Sequence, residues 1–156
     1  YVGKIKFLGI GYYVYKGEAR IKVHKKSIEK MKSKIREITS RRTSISHELR
    51  ASKLKRYVIG WVNYFKIAYM INLLKTIDSW LRRRLRQIYW KQWKKTKTKF
   101  ERLTKLGVEK SKAWEYANTR KGYWRISKSP ILHRTLKTQT LRNEGYLFFT
   151  DYYKSI

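Results

Sequence analysis

One stretch constrains the fold of this chain more than any other. Leu74, Ile77, Leu81, Leu85 and Ile88 recur at intervals of three and four, the spacing that places apolar side chains on one stripe of a helix. Nothing breaks a helix before Thr96, and the intervening Leu, Arg, Lys and Gln residues are good helix formers. Within this segment the run WLRRRLRQIYWKQWKKTKTK, Trp80 to Lys99, interleaves cations with three tryptophans and a tyrosine. At about 100° per residue, Arg82, Arg83 and Arg86 fall well off the apolar stripe. The helix is therefore expected to bury aliphatics on one side and to present a fork of guanidinium groups on the other. Asp78 lies four residues before Arg82 and is expected to pair with it.

Charge balance gives that fork a meaning. Lys and Arg number 40 against 10 Asp and Glu, a net charge of +30 over 156 residues. Such self-repulsion opposes compaction, and a polyanionic partner relieves it. Hydrophobic residues make up 42% and aromatics 15%, which is enough for a real core and excludes a disordered basic tail. No run of about 18 apolar residues is present, so no bilayer span is expected. No signal peptide is read, although the first residue, Tyr1, is no initiator. With no cysteines, disulfides and thiolate metal sites are excluded, and a reducing compartment is compatible.

Taken in order, residues 1–24 read as a β-hairpin, with Lys16-Gly17-Glu18 as its turn and Arg20, Lys22 and His24 on one basic face. A first helix is expected over 27–40, with Ser27 as N-cap and Ile28, Met31, Ile35 and Ile38 buried. The second, over 46–69, carries Leu54, Tyr57, Val58, Trp61, Val62, Phe65 and Ala68 on one face. Gly60 inside it costs about 1 kcal/mol of helix propensity, and a closely approaching neighbour would explain it. The third runs over 72–95. Short elements follow: helices over 100–106, closed by Gly107, and over 110–118, then a basic aromatic loop at 120–125. Another short helix begins at Ser129-Pro130. The expected fold is mainly α: an N-terminal β-hairpin, a three-helix bundle, then a small subdomain of short helices and loops, with a boundary near residues 94–98.

Several motifs together resemble one family. FLG at 7–9 and KVHKKS at 22–27 resemble the junction that follows the polymerase palm in group II intron reverse transcriptases. GWVNYF at 60–65, DSWLRRRLRQIYWKQWKK at 78–95 and KGYWR at 121–125 resemble their maturase-specific region, and SPILHRTL at 129–136 and NEGYLFF at 143–149 also fit. The resemblance covers essentially the whole chain. It implies that residues 1–92 are the thumb (domain X) and 93–156 the DNA-binding (D) region. It also implies upstream fingers and palm with a Tyr-x-Asp-Asp metal motif. This chain has no Asp-Asp pair, so it is expected to have no polymerase activity by itself. Without cysteines it also lacks the zinc ligands of the family's His-Asn-His nuclease.

The residues themselves show little catalytic chemistry. His24, His47 and His133 lack metal-ligand spacing and read as surface or hydrogen-bonding histidines. The ten acids are scattered, and no phosphate loop or nucleophile motif occurs. No cofactor is expected in this chain; the resemblance would put magnesium in the absent palm. The leading reading is a nucleic-acid-binding module. Arg82, Arg83, Arg84, Arg86, Lys91, Lys94, Lys95, Lys97 and Lys99 are the candidate phosphate contacts on and after the third helix. Arg120, Lys121, Arg125 and Arg134 are those of the C-terminal part. Trp124 reads equally well as a base-stacking or a core residue, whereas Trp61, Trp80 and Phe65 read as core. By resemblance the partners are group II intron RNA, template or target DNA, and the missing fingers and palm. The setting would be a ribonucleoprotein in the bacterial cytoplasm, near the nucleoid, or in an organelle. A second reading makes the chain a piece of an RNA-directed DNA polymerase that works only with its palm. A third, peripheral binding to anionic membranes, is disfavoured because the apolar faces pair naturally with each other.

Overall fold

The computed structural model describes residues 6–156. Of the expected hairpin, residues 1–5 lie outside the described residues. Three antiparallel strands, β1 (Lys6–Phe7), β2 (Ile10–Tyr15) and β3 (Glu18–Val23), form a meander in the order β1-β2-β3. Glu18 pairs with Tyr15, so the second turn is Lys16-Gly17 alone rather than the three residues expected. Both turn residues are left-handed, with φ of 49° and 79°, the geometry that matches the twist of paired strands.

Three long helices follow: α1 (Lys25–Ile38), α2 (His47–Phe65) and α3 (Ile71–Gln92). The N-cap of α1 is His24, not Ser27; its ring nitrogen accepts from the Lys26 amide at 3.1 Å. Ser27 lies inside the first turn and donates its hydroxyl to the Gly9 carbonyl at 2.8 Å. Ser46 caps α2 by accepting from the Leu49 amide. Met31, Ile35 and Ile38 of α1, Leu54, Val58, Trp61, Val62 and Phe65 of α2, and Leu74, Ile77, Leu81, Leu85 and Ile88 of α3 are buried together, as the periodicity requires. Gly60 departs from expectation. It is exposed, and a Cβ built on it meets no atom within 4 Å, so no neighbouring helix explains it.

Six shorter helices complete the chain: α4 (Thr96–Lys105), α5 (Lys110–Ala117), α6 (Tyr123–Ile126), α7 (Pro130–Thr135), α8 (Thr138–Asn143) and α9 (Phe149–Ser155). Gly107, at φ 95°, ends α4. Its amide bonds to the Thr104 carbonyl and that of Val108 to the Leu103 carbonyl, the paired bonds of a Schellman cap. Part of the expected 120–125 loop is the helical turn α6. The last two helices lie where the sequence analysis assigned no element, and α9 packs on α2 and α3. One hydrophobic core runs from Val23 to Phe149, with members on both sides of residue 93.

Candidate nucleic-acid interface

The basic face of α3 does not stand free. Arg86 is buried, and its Nε donates to the Leu136 carbonyl at 2.9 Å. Arg83 donates to the Trp124 carbonyl at 3.0 Å and the Ser127 hydroxyl at 3.3 Å, with its guanidinium 3.7 Å from the Trp124 ring centre. Arg84 donates to the Thr39 hydroxyl at 2.7 Å, and that hydroxyl donates in turn to the Ile35 carbonyl. Arg82, half-buried, sits over the Phe148 ring. These acceptors share a location. Thr39 is the C-cap of α1, Ser127 that of α6 and Leu136 that of α7. The C-terminus of a helix leaves carbonyls unpaired and carries a partial negative charge, so a cation there satisfies both needs. Arg83, Arg84 and Arg86, three of the cations expected to face phosphates, therefore cap the C-termini of α6, α1 and α7 and fasten them to α3.

Asp78 supplies the opposite cap. Its carboxylate accepts from the amides of Phe149 and Thr150 at 2.9 and 2.8 Å, the first residues of α9. That replaces the expected ion pair with Arg82. Burial pushes the carboxyl above the usual carboxylate range, against the amide bonds and Arg82, which favour the charged form. Burial, reinforced by Arg82, lowers the Arg86 pKa to about 10, so Arg86 remains charged at neutral pH. His47 bridges Tyr146 at 2.7 Å and Gln92 at 2.5 Å and stacks on Tyr89 with ring centres 3.9 Å apart. The network assigns its proton to Nε2, donating to the Gln92 side-chain carbonyl, with Nδ1 accepting from the Tyr146 hydroxyl. Burial holds its pKa below 6.5.

The other candidates divide by exposure. Lys91 donates to the Arg41 carbonyl at 2.6 Å, and half-buried Lys99 lies 4.8 Å from the Trp90 ring centre. Trp124 is half-buried, with the Arg83 guanidinium over its ring. Lys94, Lys95, Lys97, Arg120, Lys121, Arg125 and Arg134 are exposed. Among the described residues only two ion pairs form, Lys34–Glu37 and Arg142–Asp151, so most cations carry no acid partner. No cluster of His, Cys, Asp and Glu that could hold a metal occurs among the described residues, and no described helix is long and apolar enough to cross a membrane.

A further basic surface was not singled out from sequence. An open groove of about 750 Å³ lies between α1 and α2, rimmed by Lys26, Lys30 and Lys34 and floored by Tyr57, Trp61 and Phe65. It adjoins a second hollow of about 620 Å³ that adds Lys53 and Arg56. The signal was present in the i, i+4, i+8 spacing of the three lysines on one edge of α1. A model of the group II intron maturase-specific domain matches residues 28–107, from the second turn of α1 to the end of α4. The chain belongs to this family. No curated protein matches it. The matched segment of this maturase domain contains all of α2 and α3, the whole lining of the second hollow, and that of the first except Leu8, Gly9, Lys26 and Ser27.

Proposed function

We propose that this maturase domain binds the RNA of a group II intron and stabilises its active structure, leaving the splicing chemistry to the RNA. The observation that carries this reading is a cationic surface on a well-packed body. The chain has a net charge of +30, its described residues form only two ion pairs, and its core is continuous. Rigid cations lose little freedom on meeting phosphates, and their binding releases counterions. On this reading residues 1–92 act as the thumb of a reverse transcriptase. Residues 93–156 contact template or target DNA through Lys94, Lys95, Lys97, Arg120, Lys121, Arg125 and Arg134. DNA synthesis requires fingers and palm that supply the metal-binding carboxylates, and the chain alone is not an enzyme. It works inside a ribonucleoprotein in the cytoplasm.

The test is a salt titration of the chain against a folded group II intron RNA and a duplex DNA, joined to splicing assays of that RNA at limiting magnesium. The expected result is tighter binding to the intron RNA, a steep salt dependence, and faster splicing when the chain is added. Equal affinity for both nucleic acids with no change in splicing would overturn the reading.

A further inference from the structure

The groove between α1 and α2 has features that a merely solvated face does not need. Lys26, Lys30 and Lys34 are exposed along one edge, each about 6 Å from the next along the helix axis. The single acid that lines the groove, Glu37, is engaged by Lys34 at 3.5 Å. The opposite edge is aromatic. Tyr64 is 53% exposed, yet its ring is held in place. Its hydroxyl donates to the Leu8 carbonyl at 2.8 Å, and its ring meets Phe65 edge-on with centres 4.7 Å apart. The turn that holds it is itself fixed, because the His24 amide and the Ser27 hydroxyl both donate to the Gly9 carbonyl. An exposed aromatic ring fixed before any ligand arrives is a ready stacking platform.

Gly60 supplies an independent observation. It lies one helical turn from both Arg56 and Tyr64 on the same edge of α2, and open space stands over it. Among the described residues no contact explains a glycine in the middle of this helix. Bare backbone at that point lets a ligand approach where a side chain would block it.

We propose that this groove seats an unpaired stretch of RNA, with a base stacked on Tyr64 and neighbouring phosphates along Lys26, Lys30 and Lys34, and with the strand passing over Gly60. The assignment rests on the RNA-binding reading above. It adds the kind of RNA and the place. Positive charge selects a polyanion. Aromatic rings open to one side select a base that has left its helix, since a paired base exposes no face for stacking.

The experiment uses the 156-residue chain and a single-stranded RNA of about 12 nucleotides, a length within known single-strand site sizes, carrying one 2-aminopurine. The same RNA annealed to its complement is the control. Tyr64→Ala is expected to weaken single-strand binding about tenfold, the loss of one stacked base, and to abolish 2-aminopurine quenching. Gly60→Gln places a good helix former where nothing is displaced, so the fold should persist while single-strand affinity falls by a similar factor. Both variants should bind the duplex as the parent does. Parental affinity and quenching in both variants would overturn the groove assignment while leaving RNA binding elsewhere on the surface intact. Equal losses on single strand and duplex would also overturn it, marking the groove as a general electrostatic face. Failure of the parent chain to bind either RNA would overturn the underlying reading and this one with it.

Discussion

The arginine face of α3 and the lysine rim of α1 look alike in the sequence and differ in the structure. Each places cations at helical spacing beside an apolar stripe. On α3 neighbouring helices pack over the cations, the later α6 and α7 over Arg83 and Arg86 and the earlier α1 over Arg84, so all three end on main-chain oxygens of those helices' C-termini. On α1 no described element covers Lys26, Lys30 and Lys34, which remain at the edge of an open groove. The chemistry of the two side chains matches this division. A guanidinium is weakly hydrated and offers several donors in a fixed plane, so it can be buried against carbonyls. An ammonium is strongly hydrated and stays in water. In a chain this basic, charge density alone does not say which cations meet the ligand; what packs over them does.

The largest effect should come from removing the caps. Changing Arg83, Arg84 and Arg86 together to Gln retains helix propensity but strips charged hydrogen bonds from three helix ends. Each such bond contributes roughly 1.5–3 kcal/mol, and neighbouring losses do not add fully, so the combined loss should be about 4–6 kcal/mol in denaturant unfolding. A loss within about 0.5 kcal/mol would return these arginines to the surface. Asp78→Asn should cost less, about 1–2 kcal/mol, because Asn can accept from only one of the two α9 amides well. Amide hydrogen exchange should localise that loss to residues 149–155.

The smallest effect is one of pH. His47 is held neutral, with its pKa below the unfolded value of 6.5. Between those two values the unfolded chain binds more protons than the folded one. The contribution of His47 to stability is therefore complete above about pH 6.5 and is lost as the pH falls through and below it. Unfolding midpoints at about pH 7.5 and pH 5.5 should differ more for the parent than for His47→Gln; equal differences would remove His47 from the account.

The long helices were legible because their periodicity is a property of adjacent residues. Leu74 through Ile88 bury one face whatever packs on it, and GWVNYF contributes Trp61, Val62 and Phe65 to that core. The fate of the α3 arginines was not legible, because it depends on segments 41 to 50 residues away in the chain, downstream for Arg83 and Arg86 and upstream for Arg84. A hint was available: Ile88, Tyr89 and Trp90 are consecutive and all buried, and a helix apolar on several sides is covered on several sides. The last helix, α9, escaped notice because its start depends on a carboxylate 71 residues upstream rather than on a local cap. Gly60 drew attention in the sequence for the cost it carries, and no contact among the described residues accounts for it.

The division between helix-capping arginines and exposed lysines is tested most directly by the salt dependence of binding to intron RNA in two variants measured side by side. One changes Lys26, Lys30 and Lys34 to Gln, and the other combines Arg84→Gln with Arg86→Met, the second replacement keeping the buried volume apolar. The lysine variant should unfold within about 0.5 kcal/mol of the parent, and its slope of log K against log salt should flatten by roughly two to three units. The arginine variant should be less stable and should keep the parental slope under conditions where it is folded. A flattened slope in the arginine variant together with an unchanged slope in the lysine variant would contradict the account.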